Sequence, residues 1–242
     1  MINSFAGIIS LWKLLNIEPG DDLQDIVLTG LGETIHMVLV AGAIALAIGI
    51  PLGIILVITK KGHILPMSRL NKVLSAVINV IRSIPSLILI VILLPLARFV
   101  VGTTLVTSAA IVPISIGTAP FIARIVETSI EEVKWGKIEA AEAMGASIFE
   151  IIFKVLIPEA LPSLVRGITI AIITIIEFTA IAGSIGAGGL GSLAIRYGYQ
   201  MFRNDVLIVT VAILVILVQV IQFTGDFISR LINKKRFQIE EN

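Results

Sequence analysis

Residues Lys137 to Pro162 read KIEAAEAMGASIFEIIFKVLIPEALP, and this stretch decides how the whole chain is understood. It is too polar to cross a bilayer and too regular for a slack linker, yet it stands between two long apolar segments. With EEVKWG ahead of it, its first part is rich in Glu, Lys, Ala and Met, which favour a helix despite Gly136. Gly145 sits where helices commonly end in a left-handed residue. Two residues on, Ser147 and Glu150 have the spacing of a capping box that starts a second helix. Pro158 and Pro162 are expected to limit that helix and separate it from the next apolar segment. The pattern is helix, glycine turn, helix.

The two helices offer different surfaces. Ala140, Ala141 and Ala143 make the first one thin, so a partner's backbone can approach closely. Phe149, Ile151, Ile152, Val155 and Leu156 give the second more apolar surface than a free loop tolerates. Packing under the chain's own membrane helices is one reading for the isoleucines and docking to a partner is the other; for the alanine and glycine part, docking is the stronger.

Working outward, 57% of the 242 residues are hydrophobic and only 14% are charged, with a mean hydropathy of +1.04. That composition defines an integral membrane protein. The net charge of +1 hides an uneven distribution and says nothing about nucleic acid, while the absence of cysteine excludes disulfides and thiolate metal sites. Two histidines, His36 and His63, are too few for a histidine-built metal site, and no P-loop pattern occurs. The opening residues make a poor signal peptide. Phe5, Ile9 and Trp12 suit a short interfacial helix, with a loosely ordered tail as the alternative.

Five segments approach the ~20 apolar residues of a span: Met37 to Thr59; Ser83 to Ala97, expected to begin a turn or two earlier with Arg82 reaching the interface; Thr107 to Ala123; Gly167 to Ile195; and Val206 to Gly225. Lys and Arg gather on alternate sides. Five lie between the first two spans (Lys60, Lys61, Arg69, Lys72, Arg82) and five between the third and fourth (Arg124, Lys134, Lys137, Lys154, Arg166). Four more follow the fifth span (Arg230, Lys234, Lys235, Arg236), making fourteen of 18. The positive-inside rule then puts the N-terminus outside, the C-terminus and the 129–158 loop in the cytoplasm. The expected architecture is a single all-α membrane domain over 1–242. No internal repeat is visible, which disfavours the paired-repeat plan of many secondary transporters, and five helices are few to enclose a pathway, so two copies are expected.

EAAEAMG followed by VLIP resembles the EAA loop of ABC-importer membrane subunits. Glu139, Ala140, Ala141, Gly145 and Pro158 match that pattern at the right spacing, while Val155 and Ile157 replace its Ile and Leu. Further stretches, INVIRSIPSLILIVILLPLARFVVGT, AAIVPISIGTAPFIARIVE, GAGGLG and VILVQVIQFTGD, narrow the resemblance to the membrane subunits of bacterial methionine importers.

The resemblance implies a type I permease fold with five spans in the bacterial cytoplasmic membrane, working as a homodimer. It further implies two copies of a cytoplasmic ATPase that uses ATP and Mg, and an extracytoplasmic methionine-binding lipoprotein. Glu139, Ala140, Ala141, Glu142, Met144, Gly145, Ala146 and Pro158 would form the ATPase-docking loop with its coupling helices, moving the spans by alternating access. No catalytic residue and no cofactor are expected in this chain.

Glu177, inside the fourth span, departs from the family pattern and is a pathway candidate, with a structural glutamate as the alternative. Gly186, Gly188 and Gly189 are candidates for a gate, with a flexible helix end as the plainer reading. Arg124 and Glu127 form a feasible ion pair at i, i+3, read as an anchor. Glu33 and His36 are expected at the membrane interface. Three other functions compete: the same machine with another amino acid as cargo, an ion-coupled secondary transporter, and a non-transporting scaffold. The secondary transporter would rest on Glu177 alone, and the scaffold leaves the EAA spacing unexplained.

Overall fold

The structure, a computed structural model, describes residues 21–103 and 106–240. The suggested interfacial helix at Phe5 to Trp12 lies outside the described residues. Every described element is helical: α1 (Asp21–Ile58), α2 (Ser68–Ser83), α3 (Ser86–Val101), α4 (Thr107–Glu131), α5 (Trp135–Ala143) and the short α6 (Ile148–Glu150). A π-helical turn (Ile151–Leu156) leads into α7 (Ile157–Ser184). Then come α8 (Gly189–Leu193), a second π-helical segment (Ala194–Gln200) and α9 (Asn204–Glu240).

Four helical stretches are long and apolar enough to cross a membrane, and α2 with α3 makes a fifth crossing candidate as a bent pair. The five expected spans are therefore present, but three of their boundaries differ. α1 begins at Asp21, so Glu33 and His36 fall within it and not at its end. The second span does not begin before Ser83: α2 and α3 meet at 107°. Ile84, forced out of the α region by Pro85, is extended at φ −79°, ψ 126°. α3 alone has 16 residues, about 24 Å at the α-helical rise, short of the ~30 Å hydrocarbon core. The fourth span ends at Ser184 and not Ile195, because the glycine cluster breaks it.

A further expectation fails. Pro158 and Pro162 do not separate the second loop helix from the fourth span; Ile148–Ser184 is one helical run. The π turn at Ile151–Leu156 ends where α7 begins, and Pro158 occupies its first turn. A π turn shifts the hydrogen-bond register by one residue, which lets a proline without an N–H pass inside a continuing helix.

α1 and α4 form the central pair. Gly49 and Gly53 lie one turn apart on α1, and a Cβ at either would fall 2.7 Å from Ile122 or 2.5 Å from Val126. Two small residues four apart thus bring the helix backbones together, as in membrane helix pairs generally. Below this contact, a continuous core joins Val57, Ile130, Ile138, Ile151 and Leu156, seating the loop helices on the ends of α1 and α4. Arg124 is an anchor, as expected. It pairs with the buried Glu127 and donates to Asn79 Oδ1 at 2.9 Å and the Ser75 carbonyl at 3.4 Å, fastening α2 to α4.

Candidate docking surface and glycine clamp

α5 is closed by a hydrogen-bond pattern that its sequence dictates. The Ala146 N–H donates to the Ala141 carbonyl at 3.0 Å and the Gly145 N–H to the Glu142 carbonyl at 2.9 Å. These are the two bonds of a Schellman motif, which needs a left-handed residue at Gly145, found at φ +79°. The next turn starts with the expected capping box: Ser147 Oγ accepts from the Glu150 N–H at 3.4 Å, and the Ser147 N–H donates to Glu150 Oε2 at 3.0 Å. Lys154 adds a bond to Glu150 Oε1 at 2.8 Å. With both helix ends satisfied around a tight turn, the element is stiff.

Burial sorts its residues. Ile138 and Ala141 face inward, as do Ile151, Ile152 and Leu156; the isoleucines belong to the chain's own core. Glu139, Ala140, Glu142, Met144 and Gly145 are exposed, Ala146 is half-buried, and Pro158 is exposed at the start of α7. Two side chains that the sequence reading grouped or passed over prove decisive for the surface: Phe149 is 74% exposed and Phe153 62%. Their i, i+4 spacing was the available signal. Met144, 82% exposed, completes an apolar rim around the alanine and glycine turn. Exposed aromatic and Met side chains gathered on a stiff polar element make it a candidate contact surface.

Behind that surface, Trp135 stacks edge-on against His63 with ring centroids 5.4 Å apart. Burial holds the His63 imidazole below its ordinary value, and its Nδ1 finds no partner among the described residues. Lys137 pairs with Glu159, bridging α5 to α7.

At the opposite end of the bundle the glycine cluster forms a clamp. After α7, the backbone turns through Gly186 (φ +98°), Gly188 (+85°) and Gly189 (+77°). The Gly189 N–H then donates to Glu33 Oε2 at 2.6 Å and the Leu190 N–H to Thr34 Oγ1 at 2.9 Å. A Cβ on Gly189 would come within 2.7 Å of Thr34 Oγ1, and one on Gly191 within 2.4 Å of the Ala180 Cα. The segment is pinned between α1 and α7, which is the reverse of a loose helix end. Glu33 is part of this clamp. Nothing local in the sequence signals the pairing, since donor and acceptor are 156 residues apart. Glu177 is not brought to the clamp: it stands two turns before the end of α7, on an exposed face.

The fold is a broken-helix membrane bundle with a stiff, exposed helix–turn–helix at one end. The chain belongs to the binding-protein-dependent transport system inner membrane component family, matching it over residues 27–238, and is therefore an inner-membrane part of a multi-component transport system. It is 44% identical over 227 residues to the probable D-methionine transport system permease protein MetI of Vibrio cholerae, covering 94% of this chain and 98% of that one. It is 49% identical over 181 residues to the methionine import system permease protein MetP of Bacillus subtilis, covering 75% and 82%. Among solved structures it is similar to the MetNI methionine ABC transporter in an inward-facing conformation, with a TM-score of 0.87 and 43% identity over 88% of this chain and 99% of that one.

Proposed function

We propose that this chain is the permease of an ATP-driven methionine importer, carrying L- and D-methionine across the bacterial cytoplasmic membrane by alternating access. The likeness to methionine permeases over nearly the full length supports this most strongly. Two copies of the chain meet around a shared pathway, with the N-terminus outside and the C-terminus in the cytoplasm. One cytoplasmic ATPase binds each copy at the surface of Glu139, Ala140, Ala141, Glu142, Met144, Gly145 and Ala146, with Pro158 holding the following helix in line. ATP and Mg are used by the ATPase, and this chain needs no cofactor of its own. An extracytoplasmic methionine-binding lipoprotein delivers the cargo to the opposite end.

In this mechanism closure of the ATPases pushes the docking turn inward. A capped, core-seated element transmits that push, whereas a slack loop would absorb it. The continuous Ile148–Ser184 run carries the displacement to the clamp at its far end. There Gly186, Gly188 and Gly189, held by Glu33 and Thr34, serve as the outer gate, and Glu177 faces the pathway.

The test is uptake of labelled methionine into proteoliposomes holding the chain, its ATPase and its binding protein. Uptake that needs ATP, survives an ionophore and is competed by unlabelled methionine but not by other amino acids upholds the proposal. Uptake driven by an ion gradient without ATP overturns it, and selective uptake of another amino acid overturns the cargo.

A further inference from the structure

The 107° bend between α2 and α3 opens a cavity of about 350 Å³ against α4 and α7, within the ~300–1,000 Å³ range of small-molecule sites. Gly117, Thr118 and Phe121 on its wall lie at the middle of α4, and Thr174 and Phe178 come from the membrane-crossing part of α7. The cavity therefore opens at the side of the bundle, with Arg82 and Pro85 exposed at its mouth and Leu89, Gly117 and Thr118 buried at its base.

Its chemistry has three parts. Arg82, at the bend, offers only donors, and no hydrogen bond or ion pair to it occurs among the described residues. Exposed at the mouth of the cavity with no partner among the described residues, the guanidinium is available to an anionic ligand, for which its fork geometry suits a carboxylate. Thr174 is the complement. Its hydroxyl proton goes to the Ile170 carbonyl at 3.1 Å, so its oxygen presents lone pairs alone, suited to an ammonium group. Glu177, three residues on along α7, is exposed and does not line the cavity.

The third part is apolar. Leu89, Phe121 and Phe178 line the remainder, and a Cβ on Gly117 would stand 2.9 Å from Leu89 and 3.0 Å from Phe178. A methyl there would have to displace the ends of those two side chains and so narrow the slot.

We propose that this cavity is the station inside the membrane for a zwitterionic amino acid with an apolar side chain. Its carboxylate pairs with Arg82, its ammonium meets Thr174 Oγ1, and its side chain lies between Phe121 and Phe178, where a thioether gains contact with the ring edges. This rests on the transport reading above and adds to it the residues that recognise the cargo.

The chain has no cysteine, so Ser86→Cys places its single thiol in the cavity. The experiment uses the complete complex of chain and ATPase in nanodiscs, without binding protein, and follows maleimide labelling of this chain by mass. L-methionine at saturation slows labelling about tenfold, the effect of ~90% occupancy. Methioninamide, which lacks the carboxylate, does not. Arg82→Gln and Phe178→Ala each abolish protection, Arg82→Lys restores part of it, and Gly117→Ala weakens it while leaving ATPase copurification intact. Thr174→Cys serves as a second reporter should Ser86→Cys fail to assemble. Unchanged labelling with methionine, when the same complexes import methionine in proteoliposomes with the binding protein, overturns this inference and leaves the importer standing. Protection by a different amino acid, when the same complexes in proteoliposomes do not import methionine, upholds the cavity and overturns the cargo.

Discussion

Phe149→Ala separates docking from folding more cleanly than any other change at the turn. The ring is 74% exposed, so the isolated chain gains little from it, and its removal leaves thermal stability within about 0.5 kcal/mol, as at most surface positions. If the ATPase covers that ring, the loss on truncation is the ~2 kcal/mol of burying a Phe side chain, and each 1.4 kcal/mol is tenfold in affinity, so Kd rises about thirtyfold. Ile151→Ala is the mirror image. That side chain is 1% exposed and packs in the core beneath the turn, so its truncation costs about 2–5 kcal/mol of stability, while no side chain is lost from the docking surface itself. The assay measures ATPase binding to nanodisc-embedded chain by interferometry, alongside the unfolding midpoint of each variant. An unchanged Kd for Phe149→Ala, or a midpoint shift as large as that of Ile151→Ala, refutes the assignment of this face.

Other outcomes follow from the same geometry. Glu33→Ala removes the charged acceptor of the Gly189 amide; hydrogen bonds to charged groups are worth ~1.5–3 kcal/mol, so the amides of Gly189 and Leu190 exchange with solvent on the order of tenfold to a hundredfold faster, while those of α5 are unchanged. Gly53→Leu forces side-chain atoms into a contact already 2.5 Å from Val126, destabilising the α1–α4 pair by at least ~1–3 kcal/mol, read as a lower unfolding midpoint. Ser147→Ala removes the cap before Ile148, costing about 1 kcal/mol locally, visible as faster exchange at Glu150. His63 is held neutral by burial, with its protonated form favoured by Glu131 and Glu142 and opposed by Lys60. Its folded value lies below 6.5, so its contribution is fully present above that pH and is lost as pH falls toward the folded value. Acidification then loosens the Trp135 contact, seen as a fluorescence change that His63→Phe abolishes.

The parts legible in the sequence were those governed by local rules. The Schellman turn at Gly145 and the Ser147 box depend on residues within six positions of one another, and both were readable as spacing. The five spans showed through their hydropathy. Where two rules competed, the sequence reading chose wrongly. Pro158 looked like a terminator, but a π turn absorbed it into one long helix. Ser83 to Ala97 looked like a span extending backward, although Ile84 before Pro85 carries the local signal for a break. The clamp was out of reach for a different reason: Glu33 and Gly189 pair across 156 residues, a contact that only tertiary folding creates. The place of Arg82 at the bend is likewise set by how α2 meets α3.

The central claim is that the turn at Gly145 couples an ATPase to methionine movement. The most direct test is ATP-dependent uptake of labelled methionine by the reconstituted transporter carrying Gly145→Pro, at matched membrane abundance. Proline fixes φ near −65° and removes the N–H, so it cannot hold the +79° conformation or the bond to the Glu142 carbonyl, yet Gly145 has open space around it and touches no core. The variant is expected to stay folded, with an unfolding midpoint lowered by the loss of the turn conformation, and to lose both ATPase association and uptake. Wild-type uptake from a folded Gly145→Pro transporter would contradict it.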